Sequence, residues 1–352
     1  MNPIVALTGF EQRLPKQQFE QELSLRRIAE VHSLNGDVTT EQMTVLLKRY
    51  GVKAEQISRR YYEDITIAEK GEGILARAEF FSQRGREIVS SFYSDTALAP
   101  DHLIHVTCTG YVSPSAVQHL VTDRGWRGTG VTHAYHMGCY AALPAIRIAE
   151  GLVASRNRRV DIVHTEMCAL HMDRTQHSPE QLVVQSLFAD GHIRYSAVPA
   201  EAARSGYRVL AIDEWIIPDT ADAMSWITAD WGMKMTLSRH VPAHVATHLR
   251  EFVLGLCQQA ELDLSNVLKH GLFAVHPGGP KIIDAIKEKL ELTESQVAAS
   301  RRVLFDRGNM SSATLPHIWQ MIGESKPVSG QQVISLAFGP GLTVFGAVFE
   351  SV

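Results

Sequence analysis

His102-Leu103-Ile104-His105-Val106-Thr107-Cys108-Thr109-Gly110 decides the fold. Branched and apolar residues fill the run and Gly110 stops it, which predicts a buried central strand. Downstream, Tyr135-His136-Met137-Gly138-Cys139-Tyr140-Ala141-Ala142 is a strand-like stretch broken by glycine. Residues 141–154 are small and apolar, free of proline after Pro144, and read as a buried helix; residues 159–165 are the next strand. Upstream, residues 4–9 form a short apolar strand, and residues 21–50 and 64–92 carry helical spacing, the former broken at Asn35-Gly36-Asp37. The second half repeats this grammar. Strands fall at 207–217, 271–277, 333–338 and 342–349, and helices at 245–258, 280–290 and 314–322. Such alternation implies an α/β fold with largely buried sheets. The chain divides into two similar halves, 1–200 and 201–352, with no linker and no repeat at a period of about 20–50 residues.

The 352 residues are 45% hydrophobic and 20% charged, which excludes a disordered or collagenous chain. A net charge of −4 gives no general affinity for nucleic acid or an anionic membrane, so any anion site must be a local basic patch. No apolar run approaches the ~18 residues of a membrane span, and the N-terminal one is too short for a secretory signal. Cys108, Cys139, Cys168 and Cys257 are at least 29 residues apart, which excludes CxxC chemistry and fits free thiols in a reducing cytoplasm. Glu166, Cys168 and His171 have metal-ligand side chains but lack a fourth partner, so no metal is expected.

Three junctions between strand and helix carry chemistry. Gly138 permits a tight turn that presents Cys139 at the start of a helix, where the macrodipole favours thiolate. His276 ends a strand before Pro277-Gly278-Gly279-Pro280, well placed to point into a cleft. Asn309 lies between Gly308 and a helix start, as an N-cap or as an amide donor aimed at a reacting oxygen. Each alone also reads as packing or capping. As an ordered set they supply nucleophile, base or acid, and polar donor. A papain-like protease uses the same three residue types, but its cysteine opens the mature chain in a different local segment.

Gly138-Cys139, His276-Pro277-Gly278-Gly279-Pro280, Gly308-Asn309-Met310-Ser311-Ser312-Ala313 and Phe338-Gly339-Pro340-Gly341-Leu342-Thr343 together resemble the thiolase-superfamily condensing enzymes. The likeness is to type III polyketide synthases of the chalcone synthase kind and their ketoacyl synthase III relatives. Gln185 to Gly191 is similar to the family's Leu-Phe-x-Asp-Gly segment, and the matches run from Arg59-Arg60-Tyr61 to Thr343. The resemblance implies a five-layered α-β-α-β-α fold of two similar halves and a homodimer. It implies Cys139 as the acyl-carrying nucleophile, with His276 holding the sulfur as thiolate. It also implies that His276 and Asn309 hydrogen-bond the extender thioester and stabilise its enolate. Phe188 falls at the family's gatekeeping Phe, and Met235 at a second gatekeeper that is usually Phe. Gly341, in Gly339-Pro340-Gly341, is expected to shape the cavity wall.

Departures from the family pattern bear on substrate. Met137 and Ala141 replace a Gln and a Gly around the cysteine, and flexible Met235 suits a long acyl chain better than an aromatic starter. Ser113 stands where plant enzymes place a Met crossing the dimer interface, and close to where ketosynthases that join two fatty chains place a Glu base. Ser113 cannot act as that base, whereas a malonyl-type extender that decarboxylates needs none. His-Pro-Gly-Gly leans to the polyketide side, closest to bacterial ketosynthases that make α-pyrones. The same residues would also serve a ketoacyl synthase III-like condensation, or acyl transfer from Cys139 to an alcohol or amine. No permanently bound cofactor is expected; substrates arrive on the phosphopantetheine of acyl carrier protein or coenzyme A. Arg59 and Arg60 are candidates for the carrier's phosphates, and Arg156, Arg158 and Arg159 for an acidic carrier protein.

Overall fold

The structure is a computed structural model that describes residues 5–155 and 158–352. Residue 4 of the expected first strand and Arg156 of the second basic cluster lie outside the described residues. In chain order the strands are β1 (Val5–Arg13), β2 (Gln17–Glu20), β3 (Arg59–Tyr62), β4 (His102–Thr107), β5 (Gly130–Tyr135), β6 (Val160–Met167), β7 (Asp190–Pro199), β8 (Tyr207–Ile216), β9 (Met224–Thr228), β10 (Met233–Leu237), β11 (Leu272–Val275), β12 (Gln332–Gly339) and β13 (Thr343–Ser351). Among the described residues, one sheet has the order β11-β12-β13-β8-β1-β7-β6-β4-β5.

Two arms of this sheet follow one pairing rule. In the first, β4 runs parallel to β6, which pairs antiparallel with β7, and β7 antiparallel with β1. In the second, β11 runs parallel to β12, which pairs antiparallel with β13, and β13 antiparallel with β8. The arms meet where Ala6 faces Arg208 and Leu7 faces Tyr207.

Side chains alternate across each arm, as the period of two requires. Ile104, Val106 and Ile162 of one arm, with Ala337, Phe345 and Ala347 of the other, enclose the helices Ala142–Ser155 and Thr314–Glu324. Opposite faces bury outer helices. Leu103 and Val163 pack on Ile74–Ser91 and Ala116–Asp123, while Val344 and Val348 pack on Val241–Gln259 and Pro280–Leu290. The resulting layers run α-β-α-β-α. Trp319, wholly buried in the middle layer, donates Nε1–H to Ser335 Oγ at 2.9 Å, which satisfies its one polar group.

Elements missed in sequence also hold the site. β7 is central although it carries Gly191, His192 and Arg194. Its polar groups find buried partners: Asp190 accepts the amides of Glu63 at 2.7 Å and Ala169 at 2.9 Å, and His192 Nε2 meets Glu63 Oε1 at 3.0 Å. The hairpin β9–β10 and the helix Ala298–Arg307 were likewise unread. Among the described residues, no helix is long and apolar enough to cross a membrane.

Candidate active site

Cys139 sits in a 3-10 turn, Gly138–Tyr140, just before the helix Ala142–Ser155. Gly138 has φ +76°, and a Cβ there would lie 2.7 Å from Pro340 Cδ, so this turn needs glycine. His276 follows β11 directly, held by its amide donating to the Leu336 carbonyl at 2.8 Å. Asn309 follows Gly308, at φ +74°, and its backbone is stitched to residues 187–189. Asn309 Oδ1 accepts the Ser311 amide at 2.9 Å, so the side chain is fixed with Nδ2 turned away from the helix it precedes. It does not cap that helix, whose N-cap is Ala313.

These three remote residues line one cavity of about 780 Å³ together with Phe188, Met235 and Phe338. Exposed Arg49, Arg239 and Lys281 stand on its walls toward solvent. A smaller pocket of about 60 Å³ shares Cys139, Phe188 and Met235 and continues to Cys108, Cys168 and Trp226. Phe188 and Met235 therefore stand between the two spaces.

His276 and Asn309 are 1% and 0% exposed, yet among the described residues neither imidazole nitrogen nor Asn309 Nδ2 has a hydrogen bond of good geometry, the amide only approaching the Cys139 sulfur. Such orphaned groups are costly to bury and mark places where an absent partner completes the bonding. Burial pushes the His276 imidazole down to about 3. Burial likewise pushes the Cys139 thiol up to about 12, with the Glu166 charge adding to it and the Ser311 and Asn309 side chains opposing it. The resting pair is thus neutral thiol and neutral imidazole. Desolvation leaves the thiol protonated where the sequence pointed to a thiolate.

Behind the sulfur lies a polar cluster that sequence reasoning missed. Ser311 Oγ is 3.8 Å from Cys139 Sγ and 2.9 Å from Cys108 Sγ. Glu166, wholly buried, accepts from Cys108 N at 3.1 Å, Thr109 Oγ1 at 2.8 Å and Ser312 Oγ. Its carboxyl is raised by burial, against these hydrogen bonds. The signal available was Ser311-Ser312 inside the asparagine motif and Cys108 at the end of the first strand quoted.

Other candidates lie outside the larger cavity, though Arg60 lines the smaller pocket. Arg60 is 1% exposed and donates Nε to Gln21 at 2.8 Å and Nη1 to the Gln185 and Phe188 carbonyls at 2.7 and 2.9 Å. It fastens the Phe188 segment and is not free to meet a carrier's phosphates at the surface. Arg59 is more open and lies 3.7 Å from Asp306. Arg159 pairs with Asp161 at 3.2 Å, and Arg158 is exposed. Ser113 is exposed and is not among the residues lining either space, because its loop turns outward beside exposed Tyr111. Gly341, at φ +113°, turns the chain after β12 while Pro340 reaches the pocket wall. His171 donates Nε2 to the Thr109 carbonyl at 2.7 Å and accepts the Met233 amide at 3.0 Å, so both of its ring nitrogens are engaged.

Residues 209–352 match the family of chalcone and stilbene synthases, C-terminal domain. The chain is 31% identical over 257 residues to probable polyketide synthase 1 of Dictyostelium discoideum, covering 71% of this chain and 8% of that protein. It is 27% identical over 259 residues to type III polyketide synthase A of Arabidopsis thaliana, covering 71% of this chain and 65% of that one. It spans less than two thirds of each of these relatives. The crystal structure of the C-terminal type III polyketide synthase domain of Steely1, a type I/III hybrid from Dictyostelium, superposes with a TM-score of 0.84 at 26% identity over 99% of both chains.

Proposed function

We propose that the chain, which resembles the type III polyketide synthases in residues 209–352 and in its fold, joins acyl thioesters by Claisen condensation through an acyl-Cys139 intermediate. The observation that carries this reading is the convergence of Cys139, His276 and Asn309 on one cavity, with the donors of the last two unpartnered. Loading begins as the Cys139 sulfur attacks the acyl carbonyl and His276 takes the thiol proton. That proton then goes to the departing carrier thiol. The second thioester, a malonyl unit, places its carbonyl oxygen against Asn309 Nδ2 and a His276 N–H. Loss of carbon dioxide leaves an enolate, and these two donors lower the energy of the charge that develops there. Its carbon attacks the acyl carbon, the bond to sulfur breaks, and a β-ketoacyl thioester results. Further extension and attack of an enol oxygen on the thioester closes an α-pyrone.

Coenzyme A or acyl carrier protein delivers the acyl groups, and Arg49, Arg239 and Lys281 suit the phosphate of either. A homodimer is the assembly implied; β5, at the end of the sheet and paired, among the described residues, with β4 alone, is an edge that suits it. The four cysteines are free, which fits a reducing cytoplasm.

Intact-protein mass spectrometry with hexanoyl-coenzyme A, followed by malonyl-coenzyme A and product analysis, tests the reading. Wild type should gain a hexanoyl group and release a product with a new carbon–carbon bond. Cys139→Ala should gain none, and His276→Ala should lose condensation by more than loading. An adduct on Cys139→Ala, or hexanoyl esters and amides as the products, would refute it.

A further inference from the structure

β6 brings Ile162, His164 and Glu166 to one face, as the period of two requires. Ile162 shows that this face takes an aliphatic side chain into the middle layer. His164 places a wholly buried imidazole there instead, and the condensation described above does not use it. Its bonding has a direction. The Ser312 hydroxyl gives its hydrogen to Glu166, so Ser312 Oγ accepts from His164 Nδ1–H at 3.0 Å. Nε2 is then the bare nitrogen, and it accepts the O–H of Tyr195, on β7, at 3.3 Å. The two rings stack with centroids 5.7 Å apart. Burial, with neighbouring His317 and His105, pushes the His164 pKa well below the ordinary histidine value, so the imidazole is neutral. Tyr195, His164, Ser312 and Glu166 are all wholly buried, and a satisfied buried network of this kind is rigid.

The network ends in the turn Ser311–Ala313, which joins Asn309 to the helix Thr314–Glu324. Ser311 has φ +49°, a left-handed conformation that a residue with a Cβ keeps only where its surroundings hold it. On one side Asn309 Oδ1 accepts the Ser311 amide at 2.9 Å. On the other, the Ser312 hydroxyl is tied to β6 twice, through Glu166 and through His164. Asn309 therefore shares a strained turn with a serine whose anchor is His164. Resting on the condensing reading, we propose that His164 is a positioning residue, which ties Ser312 to β6 and so holds Asn309 where the extender's enolate forms. Loading is carried by Cys139 and His276, whereas the second step also needs Asn309 Nδ2. Loss of the tie therefore falls on condensation.

The test measures two steps separately: loading of Cys139 by hexanoyl-coenzyme A, and single-turnover condensation of the loaded protein with malonyl-coenzyme A. His164→Leu removes the donor to Ser312. It should slow condensation by on the order of 100-fold, the cost of a displacement of about 1 Å, and loading by about threefold at most. His164→Asn keeps an N–H where Nδ1–H stood and should restore most of the condensation rate. Ser312→Ala cuts the same tie by removing one hydroxyl and should show the same split between the steps, which decides the matter even where His164→Leu fails to fold. Equal losses in both steps, condensation at the wild-type rate in Ser312→Ala, or a His164→Asn protein as slow as His164→Leu overturns this inference and leaves the condensing reading standing. Wild type that loads no hexanoyl group, or forms no carbon–carbon bond, overturns both.

Discussion

Asn309 and Phe188 are joined by a β-bridge: the Asn309 amide donates to the Leu187 carbonyl at 3.0 Å, and the Ala189 amide donates to the Asn309 carbonyl at 2.8 Å. Arg60 grips the same segment through the Phe188 carbonyl at 2.9 Å. The amide donor and the ring between the two spaces therefore share one backbone frame. That frame does not depend on the ring, because every bond in it is made by main chain or by Arg60. Phe188→Ala should consequently change access without moving Asn309. The ring is only partly buried, so the cost should fall below the about 3–5 kcal/mol of a core Phe, at about 1–2 kcal/mol in a urea titration. Selectivity, measured as kcat/KM for branched or long acyl thioesters over short ones, should shift toward the bulky substrates by about tenfold or more. An unchanged ratio would detach Phe188 from the gate.

The charge state of Cys139 gives a prediction of opposite sign to a preformed ion pair. With the thiol pushed up to about 12 and His276 pushed down to about 3, both are neutral at pH 7. A thiol titrating that high is far below its midpoint throughout the neutral range. Its thiolate fraction rises about tenfold per pH unit there. Alkylation of Cys139 by iodoacetamide in the absence of substrate should therefore climb log-linearly from pH 6 to pH 9 with no plateau. A thiolate held by an imidazolium would instead react at a rate that flattens above a low pKa. Mass-spectrometric rates at Cys139 across that range separate the two. A plateau would mean that His276 is protonated beside a thiolate in the free protein.

How far the sequence went is visible residue by residue. Cys139, His276 and Asn309 were legible because glycine and proline punctuate each junction: Gly138, Pro277-Gly278-Gly279 and Gly308 mark where a strand stops and a side chain is presented. Arg60 was misread because adjacent arginines look alike in sequence. β3 alternates, turning Arg60 and Tyr62 inward and Arg59 and Tyr61 outward, and only the register decides which is which. β7 was missed because its alternation is masked by Gly191, His192 and Arg194, and the partners that make these tolerable, Glu63 among them, come from remote segments. Ala298–Arg307 was missed for a related reason: Arg301, Arg302, Asp306 and Arg307 leave its short buried stripe of Ser300, Val303 and Leu304 without a clear apolar face. The link between Cys108 and Glu166 was invisible because β4 and β6, parallel neighbours, bring together residues 58 positions apart.

Gly138 tests whether the site depends on one turn. A Cβ there would lie 2.7 Å from Pro340 Cδ, and the φ of +76° is left-handed. The backbone penalty alone is about 1–2 kcal/mol. Pro340 cannot yield cheaply: its carbonyl accepts Thr343 Oγ1–H at 3.0 Å, and the Leu342 amide donates to Thr220 Oγ1 at 3.0 Å. The turn carrying Cys139 must therefore move in Gly138→Ala. Displacement by about 1 Å of a reacting atom costs about 100-fold, and loading of Cys139 from hexanoyl-coenzyme A should fall by that order. Gly151→Ala is the matched control. A Cβ at Gly151 meets nothing within 4 Å, and the residue lies inside the helix Ala142–Ser155. That change should raise stability by up to about 1 kcal/mol and leave loading as it was. Stopped-flow loading rates and urea midpoints for the two variants distinguish a positional requirement from a general aversion to alanine; equal loading in both would remove the turn from the account of the nucleophile.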